Sequence, residues 1–499
     1  MRSKVVSFEE AIQRVPDGAT VSVCGAWMLV PDKTLAALER RFLNEGHPRN
    51  LTAVFAICPG GVEDQPGIDR LAHEGLLRRV IGGSFPNAAS PIRQLITDNK
   101  VEAYNLPSGL IASWYREIAA GRPGVFTQRG LGTFVDPRST GGKMNSRTQE
   151  DLLSVEYVRG QEYLFLPSMR MDVALIRGTT ADEAGNITME QEPATLTAFV
   201  QAAAARASGG LVIAQVKRVA RTGTLHPQMV KVPGTLVDCV VVDPDQIQAS
   251  GVPYEPALSG EIVRPYPSEP VGSPMDRYVA ERAAKEVRDG DVVVLGYGIS
   301  AYVPYVLLRQ GRFHEVKFAI EQGSIGGLPL VEFGFGNSLN PQAIVDAATQ
   351  FELFQGGCFD LAMLSFLQVD AEGRVNIHLL KARPHLSVGI GGFIDIATSA
   401  RRIVFVGYFT AGGQQLALED GRLRILREGK SKKFVRQLDA VSFDPSYGRA
   451  EEILFVTERA TLRWSRDGFV VTEVAPGADL EKDVLGQMEF VPKTLEVIR

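Results

Sequence analysis

The segment Lys317-Phe-Ala-Ile-Glu321-Gln-Gly-Ser-Ile-Gly326-Gly327-Leu-Pro329 decides how this chain is read. The four residues before Glu321 predict a buried strand, and the glycines after it predict a tight turn. A carboxylate at a strand tip, followed by backbone that a ligand can approach closely, marks the ligand edge of an open α/β sheet. With a reference pKa of about 4.3, such a glutamate is ionised at neutral pH. It can then attack an acyl carbonyl directly, provided the oxyanion is held. The plainer alternative is a strand-end glutamate that hydrogen-bonds the turn after it.

The same rhythm recurs on both sides of this segment. A strand over residues 19–23 runs into Cys24-Gly25-Ala26-Trp27, and Pro31-Asp32 opens a helix with Leu35, Leu38 and Phe42 at helical spacing. Residues 8–15 and 193–207 predict further helices, and 51–57, 171–177, 211–216 and 237–242 predict strands. Strand, glycine turn, helix and strand in succession predict a parallel sheet covered by helices. Residues 79–145 are dense in glycine and turn signals, including 104–109 and 130–138, and are expected to form a loop-rich insertion.

The chain also repeats itself. Asp289-Gly290-Asp-Val-Val-Val-Leu-Gly-Tyr-Gly298 echoes Asp17-Gly18-Ala-Thr-Val-Ser-Val-Cys-Gly25 at an offset of 272 residues. Asp172, Asp182 and Gly185 are echoed by Asp360, Asp370 and Gly373 at an offset of 188. The difference of 84 residues is room for the insertion in the first copy. Seven prolines in the 31 residues from Pro244 to Pro274 exclude a helix or central strand there. The expected organisation is therefore an α/β domain over 1–243, a proline-rich linker over 244–274 and a second, related α/β domain over 275–499. The second opens with an amphipathic helix over 275–288. Paired domains of this kind place ligands in the cleft between them.

With 499 residues, 45% apolar and 22% charged, the chain has the composition of a soluble globular protein too long for one core. A net charge of −5 gives no reason to expect nucleic acid or an anionic membrane surface as partner. The first ten residues carry two acids where a secretion signal needs an apolar run, and no uncharged apolar stretch is long enough for a membrane span. Cys24, Cys58, Cys239 and Cys358 are far apart, without a CxxC pair, as expected of scattered buried thiols in a reducing cytoplasm. Six histidines without HxH or HxxxH spacing predict no metal site.

Two more glycine constellations follow Glu321. They are Val388-Gly-Ile-Gly391-Gly392-Phe393-Ile-Asp395 and Gly407-Tyr-Phe-Thr-Ala-Gly412-Gly413. Consecutive glycines expose backbone N–H groups suited to an oxyanion or a phosphate. Nucleoside triphosphate chemistry is not expected, because Arg424 stands where a P-loop ending in Gly429-Lys430-Ser431 would need its leading glycine. A dinucleotide site is a rival reading. Gly296-Tyr-Gly298-Ile-Ser-Ala301 has the G-x-G-x-x-A form, and Glu321 follows at the distance of a ribose-binding acid. Gly296, Gly298 and Glu321 would then hold NAD in an oxidoreductase. Pro304 early in the helix, and the glycines after Glu321, count against it.

Taken together, Glu321-Gln-Gly-Ser-Ile-Gly-Gly327, Gly391-Gly392-Phe393 and 407–413 resemble the motifs of family I coenzyme A transferases. The likeness is to the single-chain acetate/propionate group, in which two homologous subunits are fused, and it extends to 104–109, 130–138 and the linker. The resemblance implies an enzyme that moves CoA from a short-chain acyl-CoA to a free carboxylic acid. The route implied is ping-pong, with Glu321 as nucleophile and a glutamyl-CoA thioester between the half-reactions. It further implies backbone N–H groups of Gly392 and Phe393 as oxyanion donors. Ser108, Gly391, Gly326, Gly327, Gly412 and Gly413 are implied near the substrate or CoA. No permanently bound cofactor or metal is implied; CoA is substrate and covalent intermediate, and the chain is expected to assemble as a dimer or tetramer. Where the family commonly has Gln, this chain has Ser108, and Gln322 beside the nucleophile is also unusual. Ser108 is shorter and is expected to leave room in the acyl pocket or to admit a water. An acyl-CoA hydrolase and a CoA-binding sensor on the same fold remain alternatives.

Overall fold

The structure is a computed structural model and describes residues 3–87, 89–269, 271–383 and 388–492, which leaves His385 outside. The strands that organise the first half are β1 (Thr20–Val23), β2 (Leu51–Phe55), β3 (Leu77–Gly82), β4 (Glu102–Asn105), β5 (Val173–Asp182), β6 (Leu211–Ala220) and β7 (Cys239–Val242). They pair in parallel in the order β7-β6-β5-β1-β2-β3-β4. All ten residues of β5 are buried, as a strand covered on both faces requires.

The second half is built on β8 (Val292–Leu295), β9 (Lys317–Ala319), β10 (Leu361–Leu364), β11 (Arg402–Val406) and β12 (Glu452–Val456). Their order, β9-β8-β10-β11-β12, is parallel throughout. It reproduces β2-β1-β5-β6-β7. Two antiparallel strands, β13 (Ala460–Ser465) and β14 (Gly468–Val474), extend it beyond β12.

The duplication holds residue by residue. Asp172 accepts the Thr20 N–H at 2.9 Å, and Asp360 accepts the Val292 N–H at 2.8 Å, each tying two neighbouring strands together at their start. The hairpin pairs Thr180 with Thr188 and Ala181 with Ile187 in the first copy. Its counterpart pairs Gln368 with Asn376 and Val369 with Val375, each residue shifted by the 188 positions seen in sequence. Val21 pairs with Ala53 and Val293 with Phe318, so Glu321 corresponds in register to Ala56.

The helices that matter here are α1 (Asp32–Glu45), α2 (Ser108–Ala119), α3 (Ala198–Ala207), α4 (Pro274–Ala284), α5 (Ala347–Gly356) and α6 (Phe393–Ser399). Ser273 and Asp276 form a capping box that starts α4, which ends before the predicted 288. Pro193 and the left-handed Leu196 keep the chain irregular until α3 begins at Ala198. The predicted helix over 8–15 is the short Phe8–Ile12. Residues 244–273 contain no helix or strand among those described. Arg116 on α2 reaches Asp346 and Thr349 at 3.3 and 2.9 Å, and Glu352 at 2.7 Å, so the two halves meet where α2 faces α5.

The expected loop-rich insertion is corrected. Residues 79–145 contain most of β3, all of β4, the helix Pro91–Thr97, α2 and the strand Gly124–Thr127; 128–145, including 130–138, stays irregular as expected. Its glycines serve close packing. A Cβ on Gly82 would lie 2.4 Å from the Phe55 ring, so the strand interior there needs glycine. Cys24, Cys58 and Cys239 are buried free thiols, whereas Cys358 is exposed, contrary to expectation. No helix among the described residues is long and apolar enough to cross a membrane.

Candidate active site

Glu321 lies two residues beyond β9, at the carboxyl edge of the second sheet. Its Oε2 accepts the backbone N–H of Gly392 at 2.9 Å, and its Oε1 accepts Nε2 of Gln322 at 3.3 Å. Gln350 on α5 fixes the approach to it by donating to the Ile320 carbonyl at 3.2 Å. Burial pushes the Glu321 pKa up to about 7; the Gly392 N–H opposes this rise and the nearby Asp395 charge adds to it. The expectation of a fully ionised carboxylate is therefore corrected. The sequence reference value carries no desolvation, which only the fold supplies.

Gly392 caps α6 with an ordinary φ of −86°, so it is glycine for space. A Cβ there would sit 2.5 Å from Glu321 Oε2 and 2.7 Å from the Phe351 ring. Gly391 has φ +55°, a conformation that favours glycine.

The first half of the chain holds this glycine segment in place. Phe85 N–H donates to Val388 O at 2.8 Å, Gly391 N–H to Gly83 O at 2.8 Å, and Ser108 N–H to Gly391 O at 2.9 Å. Asn105 accepts the Ile390 N–H at 2.9 Å and donates to the carbonyls of Gly82 and Gly83. Behind them Asp395 accepts Gly109 N–H, in the first turn of α2, and Gln355 Nε2, both at 2.9 Å. Burial raises the Asp395 pKa to about 6, against the pull of those two donors and of Arg129. Arg129 in turn binds Ser399 Oγ at 3.1 Å and the Gln355 carbonyl. The nucleophile candidate thus sits where the two halves meet, beside one backbone donor and the buried carboxyl group of Asp395.

Of the residues singled out from sequence, Glu321, Gly391, Gly392 and Ser108 come together. Ser108 is fully buried at the start of α2, where its hydroxyl donates to the Ala56 carbonyl at 2.7 Å and its N–H holds the Gly391 carbonyl. The Phe393 N–H donates to Ile390 O at 3.2 Å within the turn. Gly326 and Gly327 have φ near +70°, and a Cβ on Gly327 would lie 2.5 Å from Leu339 O, so both shape a turn. Gly412 and Gly413 belong to a separate ribbon, where their carbonyls accept Lys430 N–H and Arg427 Nε. Asp395, Asn105, Gln355 and Arg129 had no role in the sequence reading. Asp395 was visible three residues beyond Gly392, where an acid on an apolar helix face is a signal of a buried partner.

The dinucleotide alternative finds no support. Gly298 opens only a 3₁₀ turn, Ile299–Tyr302, before the helix Val303–Arg309, and the Glu321 carboxylate is engaged by Gly392. No cluster of three or more His, Cys, Asp or Glu suited to a metal occurs among the described residues.

Two open α/β units with a strand-edge glutamate between them define a class that comparison with known proteins makes specific. The family described as coenzyme A transferase matches residues 5–243. Caffeate CoA-transferase of Acetobacterium woodii is 41% identical over 98% of this chain and 95% of its own length. Acetate CoA-transferase YdiF of Escherichia coli K12 is 38% identical over 98% and 93%. The crystal structure of the acyl-CoA transferase YdiF of E. coli O157:H7, described as a thioester complex with CoA, superposes with a TM-score of 0.90 at 37% identity. It covers 99% of this chain and 94% of that one. The chain belongs to the coenzyme A transferase family and is a CoA-transferase.

Proposed function

We propose that the enzyme moves CoA from a short-chain acyl-CoA to a free carboxylic acid by a ping-pong route, with Glu321 carrying CoA between the half-reactions. The observation that carries this reading is the half-buried Glu321 carboxylate held at 2.9 Å by the Gly392 N–H at the junction of the halves. Ionised Glu321 attacks the thioester carbonyl; the carbon–sulfur bond breaks and CoA leaves as thiolate, giving a mixed anhydride. The thiolate attacks the glutamyl carbonyl and expels the acyl group as a free carboxylate. That leaves CoA as a glutamyl thioester. An incoming carboxylate reverses both steps. One thioester replaces another, so no nucleotide is spent. In the thiolate's attack the oxyanion forms on a Glu321 oxygen, which the Gly392 N–H is placed to hold; a donor of this kind is worth ~3 kcal/mol. The raised pKa makes the ionised carboxylate a better nucleophile than an exposed one, as poorly solvated anions react faster.

The acid partners are small carboxylic acids. The relatives carry the names of both a two-carbon acid and an aromatic one. Four free cysteines suit a reducing cytoplasm. The test is intact mass after incubation with acetyl-CoA or propionyl-CoA. A CoA adduct on Glu321 that borohydride removes, absent in Glu321→Ala, is expected. An unmodified protein that still exchanges CoA would overturn the covalent route, and CoA release without an acceptor acid would mark a hydrolase.

A further inference from the structure

Four aromatic side chains form a continuous rim that leads to Gln322, the neighbour of the proposed nucleophile, and the reaction as derived uses none of them. Trp27 follows β1, and Tyr297 follows β8, the equivalent strand of the second copy. Their rings meet edge-on across the junction at 5.9 Å. Trp27 also meets Phe333 at 5.9 Å, and Tyr297 meets Phe335 at 5.7 Å. Phe335 is buried, whereas Tyr297 is 51% and Phe333 59% exposed, so the rim runs from the interior out to solvent. Its inner end reaches Glu321 through Gln322. Gly336, next to Phe335 in sequence, packs against Gln322 and Met28, since a Cβ there would be 2.9 Å from Gln322 Cδ and 3.1 Å from Met28 Cε. Gln322 bonds Glu321 through Nε2, while its buried Oε1 has no hydrogen-bond partner. The loop that carries Phe333 is strained, with Glu332 at φ +53°, a cost found where a loop serves a ligand.

We propose that this rim receives the acyl group of the acceptor acid, and that the acid is one bearing an aromatic ring or a comparably large flat apolar group. The proposal rests on the covalent transfer reading above. Charge favours an acyl group over CoA itself. Glu332 sits beside the rim and acts on Tyr297, and no cation stacks on Trp27, Tyr297 or Phe333 among the described residues. CoA brings several phosphate charges, which such a rim repels. A neutral ring gains edge and face contacts with three exposed or half-exposed aromatics. A two-carbon acid would leave most of the rim untouched.

The experiment compares acetate with 3-phenylpropionate as acceptors, with propionyl-CoA as donor, in the unaltered enzyme, Phe333→Ala and Tyr297→Ala. Equilibrium dialysis of 3-phenylpropionate, which needs no turnover, runs alongside. The expected result is a fall of about 10-fold in the kcat/KM ratio of 3-phenylpropionate to acetate in each variant, with weaker binding in dialysis and an unchanged KM for the acyl-CoA. An equal fall for both acids with a raised KM for acyl-CoA would assign the rim to CoA and overturn the proposal. A changed oligomer size in gel filtration with an unchanged ratio would make it an interface between copies and overturn it too. Unaltered ratios and binding would do the same. Absence of transfer to any acid, with 3-phenylpropionate still bound through Phe333, would defeat the transfer reading and leave the rim standing.

Discussion

Replacing Gly392 by alanine isolates the contact on which the proposed chemistry depends. At φ −86° and ψ 6° alanine is as comfortable as glycine, so the backbone pays nothing. The new methyl group would lie 2.5 Å from Glu321 Oε2, about 1 Å inside the ~3.5 Å at which nonbonded atoms settle. Either the carboxylate retreats by about that distance or α6 does, and a 1 Å misplacement of a reacting group costs ~100-fold in rate. The N–H donation at 2.9 Å is lost with it, so the combined effect falls in the 10²–10³-fold range of a lost oxyanion donor. In barrier terms that is ~3–4 kcal/mol. The methyl also presses on buried Phe351, which adds an overpacking cost of ~1–3 kcal/mol to stability. The assay is the rate at which acetyl-CoA puts a CoA adduct on the protein, quenched in acid and read by mass. A thermal melt shows how much enzyme is folded. Adduct formation within about threefold of the unaltered enzyme, in a folded variant, would refute the role given to this N–H.

The remaining predictions concern ionisation and packing. Because the reactive form is the carboxylate and its pKa is raised to about 7, the adduct-forming rate should climb ~10-fold between pH 6 and pH 8; a flat profile there would contradict it. A carboxyl group with a raised pKa binds a proton on folding, so its contribution to stability is lost as pH rises from about 4.5 through about 7. Glu321→Gln removes that penalty and should melt higher than the unaltered protein at pH 8, by an amount of order 1–3 kcal/mol, with little gain at pH 5 and no adduct. Equal melting differences at the two pH values would count against a desolvated, proton-binding Glu321. Ser108→Gln restores the residue common in the family but has no room for it, because Ser108 is fully buried with its hydroxyl on Ala56 O. The expected outcome is a lower melting temperature; a stable variant with altered acid preference would show that the side chain does face the substrate.

Much of this was legible in the sequence because the pattern was duplicated and local. A strand followed by Glu321 and paired glycines needs only neighbouring residues to be recognised, and the offset of 188 survives in the hairpin register. What was missed depends on contacts far apart in the chain. The opening of α2 reads as a turn because Pro107, Ser108 and Gly109 are turn residues, yet Pro107 caps the helix and Gly109 N–H binds Asp395, 286 residues away. Gly326 and Gly327 read as ligand-binding nests, but positive φ and the nearby Leu339 carbonyl account for them. The Glu321 pKa could not be read at all, since desolvation belongs to the fold and not to the segment.

The register that aligns Glu321 with Ala56 has a bearing on how the two lobes divide their labour. Where the second lobe presents an acid, the first presents a methyl group, and the adjacent carbonyl is occupied by the Ser108 hydroxyl. The two lobes are alike in topology and unlike in role: one carries the proposed nucleophile, and the other holds the glycine segment beside it. On the proposed route, each polypeptide would then carry a single loaded sulfur at a time, however even-handed its architecture looks.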